Sequence, residues 1–115
     1  MTFDHEIKDG IIDFTFEGDL IGENNGPALL EIVNDAISKE IRYCIIDISG
    51  VRYINSSGIG VLITILTKFR NKDGEVILIR PSEQVKKLLI ITKLTNIFNI
   101  QESKSEALAK LRNLS

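Results

Sequence analysis

Two adjacent serines are the residues of this chain best placed for chemistry. Ser56 and Ser57 lie between an apolar run and an amphipathic segment, just before Gly58. A hydroxyl at such a junction can be the N-cap of the helix that follows, which is worth ~1 kcal/mol. It can also be a phosphorylation site, because a phosphate there would meet free amides and the positive end of the helix dipole. The residue pattern by itself leaves both interpretations open.

The other reactive side chains form no recognisable site. His5 is the only histidine and has no second histidine or cysteine beside it with which to bind zinc. Cys44 stands among isoleucines, where a thiol is normally protonated and inert. The acidic residues Glu17, Asp19 and Glu23 lack the spacing of a calcium loop and favour a solvated surface. We therefore expect no metal, no cofactor and no enzymatic activity.

Nucleotide-binding and hydrolase motifs are also incomplete. Gly58 and Gly60 form a fragment of a Gly-x-Gly-x-x-Gly loop, without a phosphate-loop lysine. Ile54 stands where a Gly-x-Ser-x-Gly nucleophile motif would need glycine. A small nucleotide-binding protein that uses the amides around these glycines is thus the weakest of the alternatives considered.

The elements that must position the serines can be predicted from periodicity. Residues 1–16 alternate in polarity on either side of Asp9-Gly10, which predicts a β-hairpin. Residues 18–26 are polar and glycine-rich and predict a loop. Pro27 then suits the first turn of a helix, where its missing N–H costs nothing.

Strand and helix patterns alternate along the rest of the chain. Strands are predicted over 43–48, 76–79 and 97–100, and helices after Pro27, over 57–70, after Ser82 and after Ser103. The third helix has apolar Val85, Leu88, Leu89 and Ile91, and Ser103 with Glu106 has the spacing of a capping box. This order predicts a single α/β domain over residues 1–115, a mixed sheet of about five strands with an N-terminal hairpin and about four helices.

The composition and net charge indicate which classes of partner to expect. The 115 residues are 43% hydrophobic and 26% charged, which is typical of a folded globular domain. A net charge of −2 gives no electrostatic reason to expect nucleic acid as a partner, and the apolar runs are far shorter than the ~18 residues of a membrane span. A single cysteine fits a reducing compartment. We expect a cytoplasmic protein whose partners are neither nucleic acid nor membrane.

With these residues in view, the chain resembles a STAS domain, specifically a free-standing bacterial anti-sigma factor antagonist. The segment 55–60, Asn-Ser-Ser-Gly-Ile-Gly, resembles the family signature Asp-Ser-Ser/Thr-Gly-Leu-Gly. The segment 18–20, Gly-Asp-Leu, resembles the start of the family's Gly-Glu-Leu-Asp loop. The resemblance extends over nearly the whole chain and implies a STAS-like fold.

The resemblance implies a binding protein that phosphorylation switches off. In the family, the serine that matches Ser56 is phosphorylated by an anti-sigma factor that is itself a serine kinase, and a metal-dependent serine phosphatase removes the phosphate. The unphosphorylated protein sequesters the anti-sigma factor and frees a sigma factor. Ser57 is the second choice for phosphorylation, and otherwise a cap or a polar neighbour of the phosphate. The residues implied in partner binding are Asn55, Ser56, Ser57, Gly58, Ile59, Asp19 and Glu23. A STAS module that binds a partner unrelated to sigma factors is the alternative.

Two positions depart from the family pattern. Asn55 replaces the aspartate of the signature, and Ile21 stands where the Gly-Glu-Leu-Asp loop would place its aspartate. Asparagine can still shape a turn through its side chain, although it carries no charge. Glu23 is the nearby residue that could supply a carboxylate instead.

Overall fold

The chain folds as a five-stranded sheet with helices on both faces. The computed structural model describes residues 1–114. In chain order the elements are β1 (Thr2–Lys8), β2 (Ile11–Leu20), α1 (Gly22–Ser38), β3 (Tyr43–Ile54), α2 (Ser56–Arg70), β4 (Glu75–Ile79), α3 (Glu83–Ile91), a 3-10 turn (Leu94–Asn96), β5 (Asn99–Gln101) and α4 (Lys104–Leu114). Within these residues, no helix has the length and hydropathy needed to span a membrane.

The strands lie side by side in the order in which they occur in the chain. β1 and β2 are antiparallel and joined by Asp9-Gly10, where both residues have positive φ (54° and 78°), as a tight hairpin turn requires. From β2 to β5 each neighbouring pair is parallel. The mixed sheet and the leading hairpin predicted from the sequence are confirmed.

The sheet separates two apolar layers. Cys44, Ile46 and Leu78 face a large cluster that includes buried residues of α1, α2 and α3. Ile45 and Ile77 face the opposite side, where they pack against α4. Strand β3 is therefore buried on both faces, as its continuous apolar run predicted. Burial, with a smaller effect of Asp13, raises the pKa of the Cys44 thiol well above its usual value.

Residues 18–26 do not form the predicted loop. Strand β2 continues to Leu20, which is fully buried and lies opposite Ile54 of β3. Helix α1 then begins at Gly22, so Pro27 lies inside the helix rather than in its first turn. Strand β3 likewise extends beyond residue 48 to Ile54, since it continues to pair with β2 after β4 has ended. Tertiary pairing outweighs local polarity in both segments.

Two details of helices α3 and α4 differ from what the sequence predicted. Ile91 is 77% exposed, because it lies two residues beyond buried Leu89, about 200° further around the helix. Ser103 caps α4 as predicted, accepting a hydrogen bond from the Glu106 amide at 3.2 Å. The Glu106 carboxylate, however, accepts from the amide of Glu102 rather than from that of Ser103, so the capping box is displaced by one residue.

Candidate functional site

The two serines lie at the edge of the sheet where β2 and β3 both end. These strands are parallel neighbours, so α1 and α2 begin side by side at that edge. A hydrogen bond from the Asn55 amide to the Leu20 carbonyl, 3.2 Å long, joins the two strand ends. In open α/β sheets this edge is the usual place for ligands and partners.

Asn55, and not either serine, is the N-cap of α2. Its backbone is extended (φ −83°, ψ 175°), and its side-chain Oδ1 accepts a hydrogen bond from the Gly58 amide at 2.7 Å. Ser56 and Ser57 are the first two residues of the helix itself. The prediction that one of the serines could cap the helix is therefore wrong. Asparagine is among the best N-cap residues, and the end of β3 places it in the capping position.

The same oxygen of Asn55 also holds the start of α1. Asn55 Oδ1 accepts a second hydrogen bond from the Gly22 amide at 3.3 Å and lies 3.0 Å from Ser57 Oγ. One side-chain atom thus contacts the first turns of both helices. This contact fixes the relative position of the two helix starts around the serines.

Glu23 supplies the carboxylate of the site. Its Oε2 accepts a hydrogen bond from Ser57 Oγ at 2.6 Å and a longer one from Asn55 Nδ2 at 3.4 Å. Ser57 has a single hydroxyl hydrogen, and it donates this hydrogen to Glu23, because that contact is shorter than the one to Asn55. The Ser57 hydroxyl, the backbone amide of Glu23 itself and the Asn55 side chain together lower the pKa of Glu23. The carboxylate that the sequence suggested does reach the site.

Ser56 differs from Ser57 in both exposure and bonding. Ser56 is exposed, whereas Ser57 is half-buried. Within residues 1–114, the Ser56 hydroxyl has no hydrogen-bond partner. The first intrahelical bond of α2 runs from the Ile59 amide to the Asn55 carbonyl at 2.9 Å, so the amides of Ser56 and Ser57 precede the hydrogen-bonded ladder. The accessible hydroxyl is that of Ser56.

Two glycines allow the close approach of the two helix starts. A Cβ atom on Gly22 would lie 2.4 Å from the carbonyl carbon of Ser57, and one on Gly58 would lie 2.4 Å from the Leu20 carbonyl oxygen. Both positions are blocked by backbone atoms, which cannot rotate away. The role of Gly22 could not be recognised from the sequence, because the polar, glycine-rich segment 18–26 predicts a loop and not the start of a helix.

The remaining predicted residues border this network without joining it. Asp19 forms an ion pair with Arg52, with 3.5 Å between Oδ1 and Nε. Ile59 is partly buried and packs against the core. Of the residues predicted for partner binding, the structure therefore brings together Asn55, Ser57, Gly58 and Glu23, with Ser56 exposed beside them.

Ser57→Ala should raise the pKa of Glu23 towards its usual value, since the Ser57 hydroxyl is the main cause of the shift. A carboxyl whose pKa is lowered by folding stabilises the fold at pH values above its unfolded pKa. That contribution is lost as the pH falls through the folded pKa. Carboxyl-carbon NMR shifts, followed through the acidic range, would measure the change. Ser56→Ala is the control and should leave the titration of Glu23 unchanged; an equal shift in both variants would contradict the assignment.

Known proteins share both the sequence pattern and the architecture. A family model described as "STAS domain" matches residues 2–107. A Thermotoga maritima protein named "Putative anti-sigma factor antagonist" is 26% identical over 110 residues, which is 96% of this chain and 97% of that protein. The resemblance drawn from the serine segment is therefore confirmed at the level of the family.

Solved structures agree with this match. A crystal structure described as that of "a putative anti-sigma factor antagonist (tm1081)" from Thermotoga maritima superposes with a TM-score of 0.85 and 27% identity, covering 96% of this chain and 94% of that chain. The anti-sigma factor antagonist SpoIIAA, in its unphosphorylated form, gives a TM-score of 0.81 at 20% identity and covers 97% of each chain. The phosphorylated form of SpoIIAA, from Bacillus, gives 0.74 at 18% identity, with 95% of this chain and 98% of that chain covered. At 20% and 18% identity, the similarity to SpoIIAA shows that the two proteins share a fold.

Proposed function

This chain belongs to the STAS domain family, and from that premise we propose that it is an anti-sigma factor antagonist. In this proposal the unphosphorylated chain binds an anti-sigma factor and thereby releases a sigma factor. The name of the Thermotoga maritima relative, which aligns over nearly its whole length, supports this function. SpoIIAA, which shares the fold, has been solved in a phosphorylated form, which supports control by phosphate.

The observation that carries the proposal is the state of Ser56. Its hydroxyl is exposed at the first position of α2 and has no hydrogen-bond partner in the part of the chain that the structure describes, whereas the Ser57 hydroxyl donates to Glu23. A phosphate on Ser56 would meet the positive end of the α2 dipole, so the fold can accept it. It would also add a charge of about −1.5 to −2 to the docking surface, which opposes binding unless the partner offers basic groups.

This mechanism implies which proteins the chain binds and in which compartment of the cell it acts. The anti-sigma factor is a serine kinase that phosphorylates Ser56, and a metal-dependent serine phosphatase restores the free hydroxyl. The chain itself acts by binding, without catalysing a reaction. Residues 1–115 act as a single STAS domain in the cytoplasm, where sigma factors bind RNA polymerase. The partner surface comprises the helix starts and the adjacent strand ends, namely Asn55, Ser56, Ser57, Gly58, Ile59, Asp19 and Glu23.

Incubation with ATP and the host's anti-sigma factor kinase should place a single phosphate on Ser56. Ser56→Ala should abolish this labelling, because the modified oxygen is removed. Ser57→Ala is the control and should still be labelled on Ser56. Tandem mass spectrometry would locate the phosphate on either serine. Labelling that persists in Ser56→Ala, or that is absent from the wild-type protein, would contradict the assignment.

The geometry favours this function over nucleotide binding. A phosphate loop needs several free amides that point at the ligand. The Gly58 amide is instead occupied by Asn55 at 2.7 Å. Measurable binding of ATP or GTP by isothermal titration would support the nucleotide alternative. Co-purification of a signalling protein other than an anti-sigma factor would support a STAS module with a different partner.

A further inference from the structure

Glu23 contacts one of the two adjacent serines and not the other. Its carboxylate accepts a hydrogen bond from Ser57 Oγ at 2.6 Å, whereas Ser56 makes no such contact within residues 1–114. We infer that Glu23 is a specificity-determining residue that withholds Ser57 from phosphorylation and so directs the phosphate to Ser56. The inference rests on the proposed function, because it requires a kinase that acts on this pair of serines.

The chemistry of the transfer explains why the hydrogen bond matters. Phosphorylation forms a bond between a serine Oγ and the γ-phosphorus of ATP, while the bond from that phosphorus to the β–γ bridging oxygen breaks and ADP leaves. The hydroxyl proton passes to a base of the kinase or to water. The modified oxygen can then no longer donate. At Ser57 this would leave Glu23 Oε2, which lies 2.6 Å from Ser57 Oγ, as an acceptor facing an oxygen without hydrogen.

Charge acts in the same direction as this lost hydrogen bond. A phosphate on Ser57 would carry about −1.5 to −2 charges beside the ionised Glu23 carboxylate. Like charges a few ångströms apart repel each other, by about 1 kcal/mol per charge pair where water screens them fully and by more where it does not. Within residues 1–114 Ser56 makes no hydrogen bond to this carboxylate, so its phosphate would not replace an existing bond. The product is therefore less favourable on Ser57 than on Ser56.

Packing adds a steric barrier at Ser57. The missing Cβ of Gly22 would lie 2.8 Å from Ser57 Cβ, so the start of α1 packs directly against this residue. A kinase active site must surround the hydroxyl that it modifies. Ser57 is half-buried against the start of α1, so its hydroxyl is less accessible to the kinase than that of the exposed Ser56.

A carboxylate beside a hydroxyl can also act as a general base, which would favour reaction at Ser57. The two roles predict opposite results when the charge of Glu23 is removed. If Glu23 protects Ser57, its loss should allow phosphate onto Ser57. If Glu23 activates Ser57, the wild-type protein should carry phosphate there, and the loss of Glu23 should reduce it.

The test uses the full chain produced in its native host, with the phosphate on each serine quantified by tandem mass spectrometry. We expect wild-type protein to carry phosphate on Ser56, and Ser56→Ala to carry none. Adding Glu23→Gln to Ser56→Ala should place phosphate on Ser57, at about tenfold or more above the background signal of Ser56→Ala, because glutamine keeps the size of the side chain and removes its charge. Glu31→Gln in the Ser56→Ala background is the matched control and should leave Ser57 unmodified, since Glu31 is exposed on α1 more than two helical turns beyond Glu23.

The outcomes separate the inference from the proposed function. Absence of phosphate from both serines of the wild-type protein would overturn the proposed function and the inference with it. Phosphate on Ser56 of the wild-type protein, with no Ser57 phosphate in the Ser56→Ala/Glu23→Gln variant, would overturn the inference alone. An equal gain from Glu31→Gln would also overturn it, because general surface charge would then be the cause. Circular dichroism of each variant would verify that it is folded.

Discussion

Replacing Ser56 with aspartate should weaken binding to the anti-sigma factor by about 100-fold, which corresponds to ~2.7 kcal/mol. The new carboxylate would lie at the exposed first position of α2, where the partner must remove water from it to make contact. The fold should tolerate the change, because a negative charge at a helix N-terminus is favourable. The loss of affinity would therefore arise at the interface with the partner and not from unfolding of the domain. Isothermal titration against the anti-sigma factor of the same host would measure it.

Ser56→Asn is the matched control for charge, since asparagine has nearly the size of aspartate and is neutral. We expect it to lose much less affinity than Ser56→Asp. The difference between the two variants should shrink at high salt, because ions screen charges at an exposed surface. Equal losses in both variants would mean that the surface rejects any larger side chain, and the electrostatic mechanism would then be wrong.

Gly58→Ala should lower the free energy of unfolding by about 2–3 kcal/mol, as expected for overpacking against atoms that cannot rotate away. The new Cβ would lie 2.4 Å from the Leu20 carbonyl oxygen, so the start of α2 must move away from the end of β2. That movement also strains the cap, because the Gly58 amide donates to Asn55 Oδ1 at 2.7 Å. Urea unfolding followed by circular dichroism would give the change.

Gly60 provides the comparison within the same helix. A Cβ on Gly60 would have no atom within 4 Å, so the space around it is open. Gly60→Ala should stabilise the protein by about 0.5–1 kcal/mol, because alanine is the better helix former. A loss of stability in both variants would show that the backbone geometry of the first turn, and not the contact with Leu20, requires glycine.

Local patterns were sufficient for most of the fold. The alternation around Asp9-Gly10 predicted the hairpin, and the positive φ of both residues gives the physical reason. The apolar run from residue 43 predicted a strand buried on both faces, and Ser103 predicted the start of α4. Each of these signals depends on residues close together in the sequence. The end of β2 could not be predicted in this way, because its polar residues Gly18 and Asp19 belong to a strand only through pairing with β3.

Most residues of the candidate site could be predicted from the sequence, but their roles could not. Asn55, Ser56 and Ser57 are all good N-cap residues, so the sequence could not show which of them caps α2. The answer depends on where β3 ends, which its pairing with β2 determines. The contact between Glu23 and Ser57 joins residues 34 positions apart, beyond the range of any local pattern. Glu23 was suggested by the family resemblance, as a carboxylate close to the position where the Gly-Glu-Leu-Asp loop would place its aspartate, and the adjacency of the parallel strand ends brings it to the serines.

The burial of Cys44 has a practical consequence for work on this protein. Its thiol is fully buried in β3, between β2 and β4, and it is the only cysteine of the chain. Thiol reagents react with the thiolate. The buried, protonated thiol of the native protein is therefore unreactive, and it is modified only when the sheet opens. The rate of modification is thus a built-in measure of how often the core opens. No label has to be introduced near the serines to follow it.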